Sequence, residues 1–278
     1  MHVAITGSRG QLGSALQQIL AGHEVLGLVR PAHDITDMDA IGTAIRGFVP
    51  DVVIHAAAMT DVDGCERDPE AARRVNVLGT RNVALAAQRT DAKFVYISTD
   101  YVFDGRKNAP YWEYDEVNPL SVYGRTKWLG EEMVRHLLSR YYVVRTAWLY
   151  GEGADNFVGT VLRLAREHAS LRMVTDEVGS PTFVLDLAWA ILELVETPAY
   201  GTYHLANGGT CSRYQWAREI LDIAGQDHVR LIPSQNYDRL AQVPKKVALR
   251  NVCAAELGIT MRPWREALQA RFDAQRNG

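Results

Sequence analysis

The sequence of 278 residues has little of several features that would indicate particular classes of protein. Its three cysteines, Cys65, Cys211 and Cys253, lie far apart and show neither a metal-binding spacing nor a disulfide framework, which suits a reducing compartment. No apolar run approaches the ~20 residues that a membrane span needs. Residues 1–5 have the pattern of a strand and not of a targeting segment. These absences favour a cytoplasmic location without a membrane partner.

The sequence also lacks a large excess of either positive or negative charge. The formal net charge is −3, and the 30 lysine and arginine residues are scattered, with no basic run longer than two residues. Because a nucleic-acid partner usually leaves a basic patch or run, no nucleic-acid binding is predicted. The 47% of apolar and 23% of charged residues are typical of a globular protein.

Short apolar runs alternate with helical patterns over the first half of the chain. Runs rich in valine and isoleucine predict strands at 2–6, 24–29, 51–57, 93–99 and 141–147. Apolar residues at helical intervals predict helices at 11–22, 37–48, 70–89 and 122–138. Strands that are apolar on both faces and are joined by helices indicate a parallel sheet covered on both sides. The predicted fold is therefore α/β, with a doubly wound, Rossmann-like parallel sheet.

The regularity weakens after about residue 150. Helical patterns occur at 156–169, 184–197, 213–225 and 263–275, and strand patterns at 202–206 and 229–232. We therefore predict a Rossmann domain at 1–150 and a smaller C-terminal substrate-binding lobe at 151–278, with some segments returning to the first domain. The lobe is expected to form the second wall of a cleft.

A glycine-rich turn, TGSRGQLG, lies between the first predicted strand and the first predicted helix. Such a turn presents backbone N–H groups and the positive end of a helix dipole to a phosphate, and its glycines permit close approach. Because a strand precedes it and a helix follows it, the turn predicts a dinucleotide site. The residues expected to contact the dinucleotide here are Gly7, Arg9, Gly10, Gln11, Leu12 and Gly13.

The residue after the second predicted strand bears on the choice of cofactor. An NAD-selective site usually has an acidic residue there, whereas this chain has Arg30, in addition to Arg9 within the turn. A guanidinium suits a 2′-phosphate through its charge and paired donors. We therefore expect NADPH, with NADH as the alternative cofactor and a solvated loop charge as the alternative role of Arg30. Asp34 and Ile35 are expected beside the adenine.

Small or polar residues follow the next two predicted strands. The third strand runs into Ala56, Ala57 and Ala58, which would let a flat ligand approach, with core packing as their alternative role. Thr60 is expected to supply a hydroxyl there. The fourth strand ends in Ser98, Thr99 and Asp100. Because polar groups buried without partners are costly, a ligand is expected beside them.

Tyr123 and Lys127 lie four positions apart near the start of the fourth predicted helix, and therefore on one face of it. Carbonyl reduction needs an acid for the developing alkoxide, a means of lowering its pKa, and a donor to the carbonyl oxygen. We predict Tyr123 as the acid, Lys127 as the cation that lowers the pKa of Tyr123 and holds the nicotinamide ribose, and Thr99 as the donor. The alternative, an ordinary exposed helix pair, predicts neither the glycine turn nor the polar strand end.

Five segments, ISTDYVFDG, YWEYDEVNPLSVYGRTKWLGEE, VVRTAWLYG, DNFV and GSPT, occur in this order over much of the chain. Together with the Gly-x-x-Gly-x-x-Gly spacing they resemble the dTDP-4-dehydrorhamnose reductase family, among the extended short-chain dehydrogenases/reductases. The resemblance implies an enzyme that reduces dTDP-4-dehydro-β-L-rhamnose to dTDP-L-rhamnose with NADPH, with Tyr123 as proton donor, in nucleotide-sugar synthesis for cell-surface polysaccharide.

The resemblance also implies roles for single residues. Thr99, Tyr123 and Lys127 would form the catalytic triad, and Thr60 and Ile97 would flank the nicotinamide. The residues that would meet the dTDP-sugar substrate are Thr99, Asp100, Trp148, Arg145, Asn156 and Thr182. For Trp148, a place in the core is the alternative.

Two positions depart from the family pattern. Some members have a glutamate in the first helix that helps to bind magnesium at a dimer interface. This chain has Ser14 and Ala15 there, so we expect no metal site, and a homodimer is left open. Glu177 stands where relatives often have glutamine, which leaves the nucleotide sugar open.

Three other functions stay open at this point. The chain could reduce another nucleotide-linked 4-keto-deoxyhexose. It is also similar to the β subunit of methionine adenosyltransferase, a non-catalytic regulator that binds a dinucleotide. A sugar-nucleotide epimerase, which would retain and recycle its cofactor, is the third alternative.

Overall fold

The computed structural model describes the backbone of residues 1–152, 156–235 and 237–277, with side chains up to residue 274. Its largest sheet has six strands: β1 (His2–Thr6), β2 (Glu24–Leu28), β3 (Val52–His55), β4 (Lys93–Thr99), β5 (Tyr141–Thr146) and β10 (Gly201–His204). All neighbours are parallel, in the order β10-β5-β4-β3-β1-β2. This sheet confirms the predicted α/β, doubly wound fold.

Alternate side chains of each strand pack on opposite faces of the sheet. Val3 and Ile5 of β1 belong to one apolar core, whereas Ala4 between them belongs to a second core on the other face. Val95 and Tyr96 of β4 divide in the same way. Because both faces are covered, the strands are apolar throughout, and polar residues are concentrated where the strands end.

The helices that cover the sheet in the first half of the chain are α1 (Gln11–Ile19), α2 (Met38–Phe48), α3 (Val62–Arg67), α4 (Pro69–Arg73), α5 (Thr80–Arg89) and α6 (Val122–Leu137). The single helix predicted at 70–89 is interrupted by a π-helical stretch, Arg74–Gly79. A short 3₁₀ turn, Asp100–Val102, follows β4 directly. Short π-helical segments often lie at functional sites, and this one borders the cavity described below.

The described residues of the second half of the chain form four longer helices and several short strands. The helices are α7 (Phe157–Glu167), α8 (Val184–Val195), α9 (Arg213–Ile223) and α11 (Trp264–Asn277), with a short helix α10 (Val252–Glu256) before the last. Three two-stranded pairs join β6 (Leu149–Tyr150) to β9 (Thr182–Phe183), β7 (Ser170–Val174) to β12 (Arg230–Ser234), and β8 (Val178–Gly179) to β11 (Cys211–Ser212). Asp155, the first residue of the DNFV segment, lies outside the described residues.

Two parts of the second half belong to the main sheet and its packing. The strand predicted at 202–206 within the lobe is β10, which pairs with β5 and forms an edge of the sheet. Ile191 of α8 shares one apolar core with Leu16 of α1 and Trp216 of α9. The sheet and the lobe therefore share a continuous core, which fixes the wall of the cleft that the lobe contributes.

Among the described residues, no helix is both long enough and apolar enough to cross a membrane.

Candidate active site

A cavity of about 830 Å³ lies at the carboxyl ends of the sheet strands. It is lined by the glycine turn after β1, by Arg30 after β2, by residues 56–60 after β3 and by Thr99 at the end of β4. In a doubly wound sheet this is the edge where ligands bind. The predicted cofactor residues in its wall are Gly7, Arg9, Gly10, Gln11, Leu12, Gly13, Arg30, Asp34, Ile35, Ala56, Ala57, Ala58, Thr60, Ile97, Tyr123 and Lys127.

The glycine turn leaves no room for side chains. Gly7 has a φ of +68°, and a Cβ placed on it would lie 2.9 Å from the backbone N of Ala57. A Cβ on Gly13 would lie 2.3 Å from the carbonyl oxygen of Gly7. Gly10 is the N-cap of α1 and brings no side chain to the helix N-terminus. The turn therefore offers backbone amides and a helix dipole to a ligand in the cavity, as an anion site requires.

Positive charge surrounds the far end of the loop after β2. Arg30 and Arg74 both line the cavity and both act electrostatically on Asp34, whose pKa is lowered mainly by the hydrogen bond from the Thr36 amide. Arg74 was not predicted from the sequence, because it lies in a helical segment whose π-helical geometry has no simple sequence signal. Arg9, Arg30 and Arg74 thus contribute three of the four guanidinium groups at the described cavity wall.

A buried histidine fixes the chain after β3. The Nδ1 atom of His55 is 2.7 Å from Thr6 Oγ1, which accepts the Ala57 amide at 3.2 Å. Its Nε2 atom is 3.1 Å from Thr80 Oγ1, which itself donates to the Asn76 carbonyl oxygen. Burial lowers the pKa of His55 to about 3, so the ring is neutral and can donate at one nitrogen and accept at the other. This chain of hydrogen bonds holds the backbone amide of Ala57 close to Gly7.

Asn76, in the π-helical stretch, extends this network towards α6. Its Oδ1 accepts the Met59 amide at 2.8 Å, and its Nδ2 donates to the Met59 carbonyl oxygen and to Thr126 Oγ1, both at 3.1 Å. Thr126 Oγ1 in turn donates to the carbonyl oxygen of Tyr123. The loop after β3 and the first turn of α6 are thus held in register by one buried amide.

Thr99 and Tyr123 meet at the cavity wall. A side-chain hydrogen bond with Thr99 favours the phenolate of Tyr123, whereas burial and the nearby Asp100 favour the neutral phenol. Burial dominates, so the pKa of Tyr123 is raised, and the lowering by Lys127 together with an oxidised nicotinamide stays a prediction. Burial also raises the pKa of Asp100 to about 7.

Lys127 is only 3% exposed, and its Nζ atom lies 4.1 Å from the centroid of the Tyr96 ring. The Tyr96 hydroxyl donates to the Lys127 carbonyl oxygen at 3.1 Å. Burial lowers the pKa of Lys127 to about 7, and the carboxylate of Glu131 acts in the opposite direction. An ammonium over an aromatic face is stabilised by the ring quadrupole, which helps to keep this lysine charged.

Glu131 lies one helical turn beyond Lys127 and is fully buried. Its two carboxylate oxygens accept from Arg145 at 2.9 and 2.7 Å, and Oε2 also accepts from Arg135 at 2.8 Å. Ser98, the residue before Thr99, donates to Oε1. Because a buried charge needs this degree of pairing, the cluster ties the end of β4 to the face of α6 that carries Lys127. Sequence patterns did not reveal it, since the partners come from three different elements.

Trp148 lines the cavity in a strained backbone conformation, with a φ of +47°. The Arg213 guanidinium carbon lies 3.6 Å from the centroid of the Trp148 ring, and Trp216 stacks on the same ring system at 5.6 Å. Gly179 makes room, because a Cβ there would lie 2.5 Å from Trp148 Cε2. Strained non-glycine residues are concentrated at functional sites. Arg213 also lines the cavity and was not identified from the sequence.

Three predicted substrate residues are not in the cavity wall. Arg145 is buried against Glu131 and the Glu113 carbonyl oxygen. Asn156 is the N-cap of α7, where its side chain accepts the Gly159 amide. Thr182 is fully buried and donates to the Ser180 carbonyl oxygen. The structure brings Thr99, Asp100 and Trp148 to the cavity but gives these three residues structural contacts elsewhere.

No group of three or more histidine, cysteine, aspartate or glutamate residues in the described part of the chain is arranged to hold a metal ion.

The sheet, the glycine turn and the Tyr-x-x-x-Lys pair beside a polar strand end define a dinucleotide-binding oxidoreductase of the extended short-chain dehydrogenase/reductase type. The family described as "RmlD substrate binding domain" matches residues 1–277. The chain belongs to this family, and the predicted relationship to the dTDP-4-dehydrorhamnose reductases is confirmed.

Individual relatives agree over most of their length. A dTDP-4-dehydrorhamnose reductase of Mycolicibacterium smegmatis is 43% identical, with 96% of this chain and 84% of the relative covered. The spore coat polysaccharide biosynthesis protein SpsK of Bacillus subtilis is 39% identical over 96% of this chain and 95% of SpsK. Among solved structures, a dTDP-4-dehydrorhamnose reductase from Bacillus anthracis in complex with NADP is 38% identical, covers 98% of this chain and 99% of its own, and has a TM-score of 0.95.

Proposed function

We propose that the chain reduces dTDP-4-dehydro-β-L-rhamnose to dTDP-L-rhamnose with NADPH, in nucleotide-sugar synthesis for cell-surface polysaccharide. Family membership supports the reaction, and the NADP complex of the Bacillus anthracis relative supports the cofactor. One observation carries the assignment to this cavity. Tyr123 lies one helical turn before Lys127, and both residues, with Thr99, line the cavity that also contains the glycine turn.

The residues at the wall fit the dinucleotide. Gly7 and Gly13 let the turn pack closely on neighbouring backbone, and Gly10 leaves the α1 N-terminus without a capping side chain, so that a pyrophosphate can approach it. Arg9 and Arg30 would hold the 2′-phosphate, and Lys127 the nicotinamide ribose. When bound, NADPH supplies the hydride that the keto carbon accepts.

Thr99 and Tyr123 then provide the hydrogen-bond donor and the acid, respectively. Thr99 donates a hydrogen bond to the keto oxygen and polarises the C4 carbonyl. As C4 gains the hydride and the carbonyl π electrons move to oxygen, Tyr123 gives its proton to that oxygen and becomes a phenolate. The ammonium of Lys127 stabilises the phenolate, and a proton from water restores the phenol. Carbonyl reduction is complete, with one hydride and one proton added.

The raised pKa of Tyr123 agrees with this role. A proton donor must be protonated before the reaction, and a phenol whose pKa lies above its ordinary value near 10 is neutral at pH 7. Burial thus secures the acid form of Tyr123, and Thr99 provides the hydrogen bond that eases its ionisation.

The test is an NADPH-oxidation assay of the purified protein with dTDP-4-dehydrorhamnose. We expect Tyr123→Phe to lower kcat by roughly 10²–10⁴-fold, the usual contribution of a positioned acid. A matched control is Tyr200→Phe, because the Tyr200 hydroxyl accepts from Arg140 outside the cavity. Full activity in Tyr123→Phe would remove this residue from the mechanism.

The same assay separates the alternative functions. Faster turnover of another dTDP-4-keto-deoxyhexose would change the substrate and leave the mechanism intact. Tightly retained NAD(H) after purification would favour an epimerase, and absence of turnover with every sugar would favour a regulatory subunit. The cytoplasmic location, the homodimer and the division into domains at residue 150 stay predictions.

A further inference from the structure

The hydroxyl group of Thr99 already has two partners in the protein. Its oxygen accepts the Tyr101 amide at 3.2 Å, and its hydrogen is donated to Asp100 Oδ1 at 3.1 Å. A threonine hydroxyl has one hydrogen to donate and two positions that accept. The proposed reduction needs that same hydrogen at the keto oxygen. While Asp100 is a carboxylate, it therefore holds the hydrogen away from the reacting carbonyl.

The backbone fixes the positions of both side chains. Thr99 ends β4, and Asp100 begins the 3₁₀ turn, which the Phe103 amide closes by donating to the Asp100 carbonyl oxygen at 3.1 Å. Helix α6 packs tightly on this turn, because a Cβ on Gly124 would lie 2.2 Å from the Tyr101 carbonyl oxygen. Both side chains are buried and line the main cavity. What can change here without moving the backbone is the direction of the hydroxyl hydrogen.

The surroundings of Asp100 favour its protonated form. Burial raises its pKa to about 7, although the hydrogen bond from Thr99 acts in the opposite direction. The groups that face Asp100 come from its own turn, from α6 and from α9, and they are Tyr101, Tyr123 and Arg213. Arg213 is the cation among them, but its Nε lies 3.8 Å from the Glu177 carboxylate and its guanidinium lies on the Trp148 ring. Its charge is therefore shared, and burial dominates at Asp100.

A proton on Asp100 reverses one hydrogen bond. A protonated carboxyl has an O–H donor, and Thr99 Oγ1 can accept it at the position that the Tyr101 amide leaves open. The oxygen then accepts two hydrogen bonds, and the hydroxyl hydrogen is free to point into the cavity. No buried polar atom of the pair loses its partner, as the folded state requires. A donor aimed at the oxygen where negative charge develops is a large contribution to catalysis.

We propose that Asp100 is a positioning residue for the reduction: in its protonated form it donates to Thr99 Oγ1 and turns the Thr99 hydroxyl hydrogen towards the keto oxygen. This inference rests on the proposed function for the position of that oxygen. Asp100 keeps its proton throughout, because Tyr123 supplies the proton that the product gains. As the pH rises through about 7, Asp100 ionises and takes back the hydrogen of Thr99, so that the reduction slows.

The kinetic test is the pH profile of kcat/KM for the sugar nucleotide. In the wild type both Asp100 and Lys127 must keep a proton, so log kcat/KM should fall by about two per pH unit on the alkaline side. In Asp100→Asn the amide donates to Thr99 at every pH, and the slope should fall to about one. A group with a pKa near 7 loses about 30-fold of its protonated form between pH 6 and pH 8.5, so the total fall should be about 30-fold smaller than in the wild type.

The matched control is Asp104→Asn. Asp104 follows in the same segment, but its carboxylate accepts from the Tyr111 hydroxyl at 2.8 Å, outside the wall of the main cavity. This variant should keep the slope of the wild type. A slope of about one in Asp104→Asn as well would show that the change does not come from the carboxyl beside Thr99.

A second measurement needs no turnover. The infrared carbonyl band of the protonated Asp100 carboxyl, identified by its loss in Asp100→Asn, should titrate with a midpoint near pH 7. Thr99→Val keeps the shape of the side chain and removes the hydrogen bond that lowers the pKa of Asp100, so the midpoint should move to higher pH. Thr99→Ser, which keeps a hydroxyl, should return it towards the wild-type value.

Three results would overturn the proposal: an Asp100→Asn profile with the wild-type slope, a carboxyl band that is absent at pH 6, or a midpoint that does not move in Thr99→Val. Thermal unfolding of each variant identifies one that has failed to fold. If that variant is Asp100→Asn, the residual activity of Thr99→Val, whose slope should also be about one, decides instead. A protein that reduces no sugar nucleotide but shows the shifted midpoint contradicts only the proposed function, whereas reduction with unchanged slopes contradicts only this inference.

Discussion

The charge on Lys127 should depend on Glu131, and replacing this carboxylate with an amide isolates the effect. Glu131→Gln keeps the size of the side chain and removes one negative charge next to the ammonium. Lys127 already has its pKa lowered to about 7 by burial, with Glu131 acting against that shift. Without the carboxylate, the pKa of Lys127 should fall further, so that the ammonium is lost at a lower pH.

The size of the shift follows from the helix geometry. Residues four apart on a helix are close neighbours, with ~5–6 Å between Cβ atoms. Two unit charges ~6 Å apart interact by about 3 kcal/mol at an effective dielectric constant of ~20, which corresponds to about 2 pKa units. We expect the alkaline limb of the kcat/KM profile, which reports the free enzyme, to move to lower pH by about 1 to 2 units.

Two further variants complete the experiment. Glu132→Gln is the matched control, because Glu132 is the next residue, is partly exposed and pairs with Arg135; its profile should equal that of the wild type. Glu131→Gln also leaves Arg145 without a carboxylate, and breaking a buried pair typically costs about 3–5 kcal/mol. The double variant Glu131→Gln with Arg145→Gln removes both charges, and its alkaline limb should return towards the wild-type position.

The refuting result is an alkaline limb that does not move in a folded Glu131→Gln enzyme, with far-UV circular dichroism as the check of folding. In that case the carboxylate would only join β4 to α6. A limb that moves in the single variant and stays displaced in the double variant would contradict the charge argument as well.

Two smaller changes probe the two ends of the site. Arg30→Gln is expected to raise the KM for NADPH about tenfold through loss of the 2′-phosphate contact, without changing the KM for NADH. Equal effects on both KM values would show that Arg30 does not bind the 2′-phosphate. Gly179→Ala places a methyl group 2.5 Å from the Trp148 ring, so it should lower the free energy of unfolding by about 1–3 kcal/mol through overpacking. It should also raise the KM for the sugar nucleotide but not for NADPH. An unchanged KM for the sugar nucleotide in steady-state assays would show that Trp148 does not contact the substrate.

The part of the site that depends on local sequence was predictable. Three features are each confined to a short stretch of the chain: the glycine turn, the polar end of β4, and the Tyr123–Lys127 pair. Steric and helical periodicities act at this range, so the sequence pattern and the structure agree. The same holds for the seven predicted strands, whose ends differ from the observed ones by at most two residues, as at His55.

The parts that depend on distant contacts were not predictable. Arg213 and Glu177 meet because β8 pairs with β11, a two-residue ladder too short to leave a pattern. Arg145 had been expected at the substrate because its segment matches the family, yet a buried glutamate on α6 holds it instead. The direction in which the pKa of Tyr123 is shifted also depends on burial, which the spacing of residues along a helix does not reveal.

The place of β10 at the edge of the sheet has a consequence for how the protein is made. During synthesis the strands from β1 to β5 leave the ribosome well before β10, so the nascent sheet has an open edge at β5 until then. The apolar face of α1 likewise waits for α8 to cover it. Unpaired edges and uncovered apolar faces promote aggregation. Fragments ending near residue 150 should therefore need a chaperone to stay in solution, even though they contain the glycine turn, Tyr123 and Lys127.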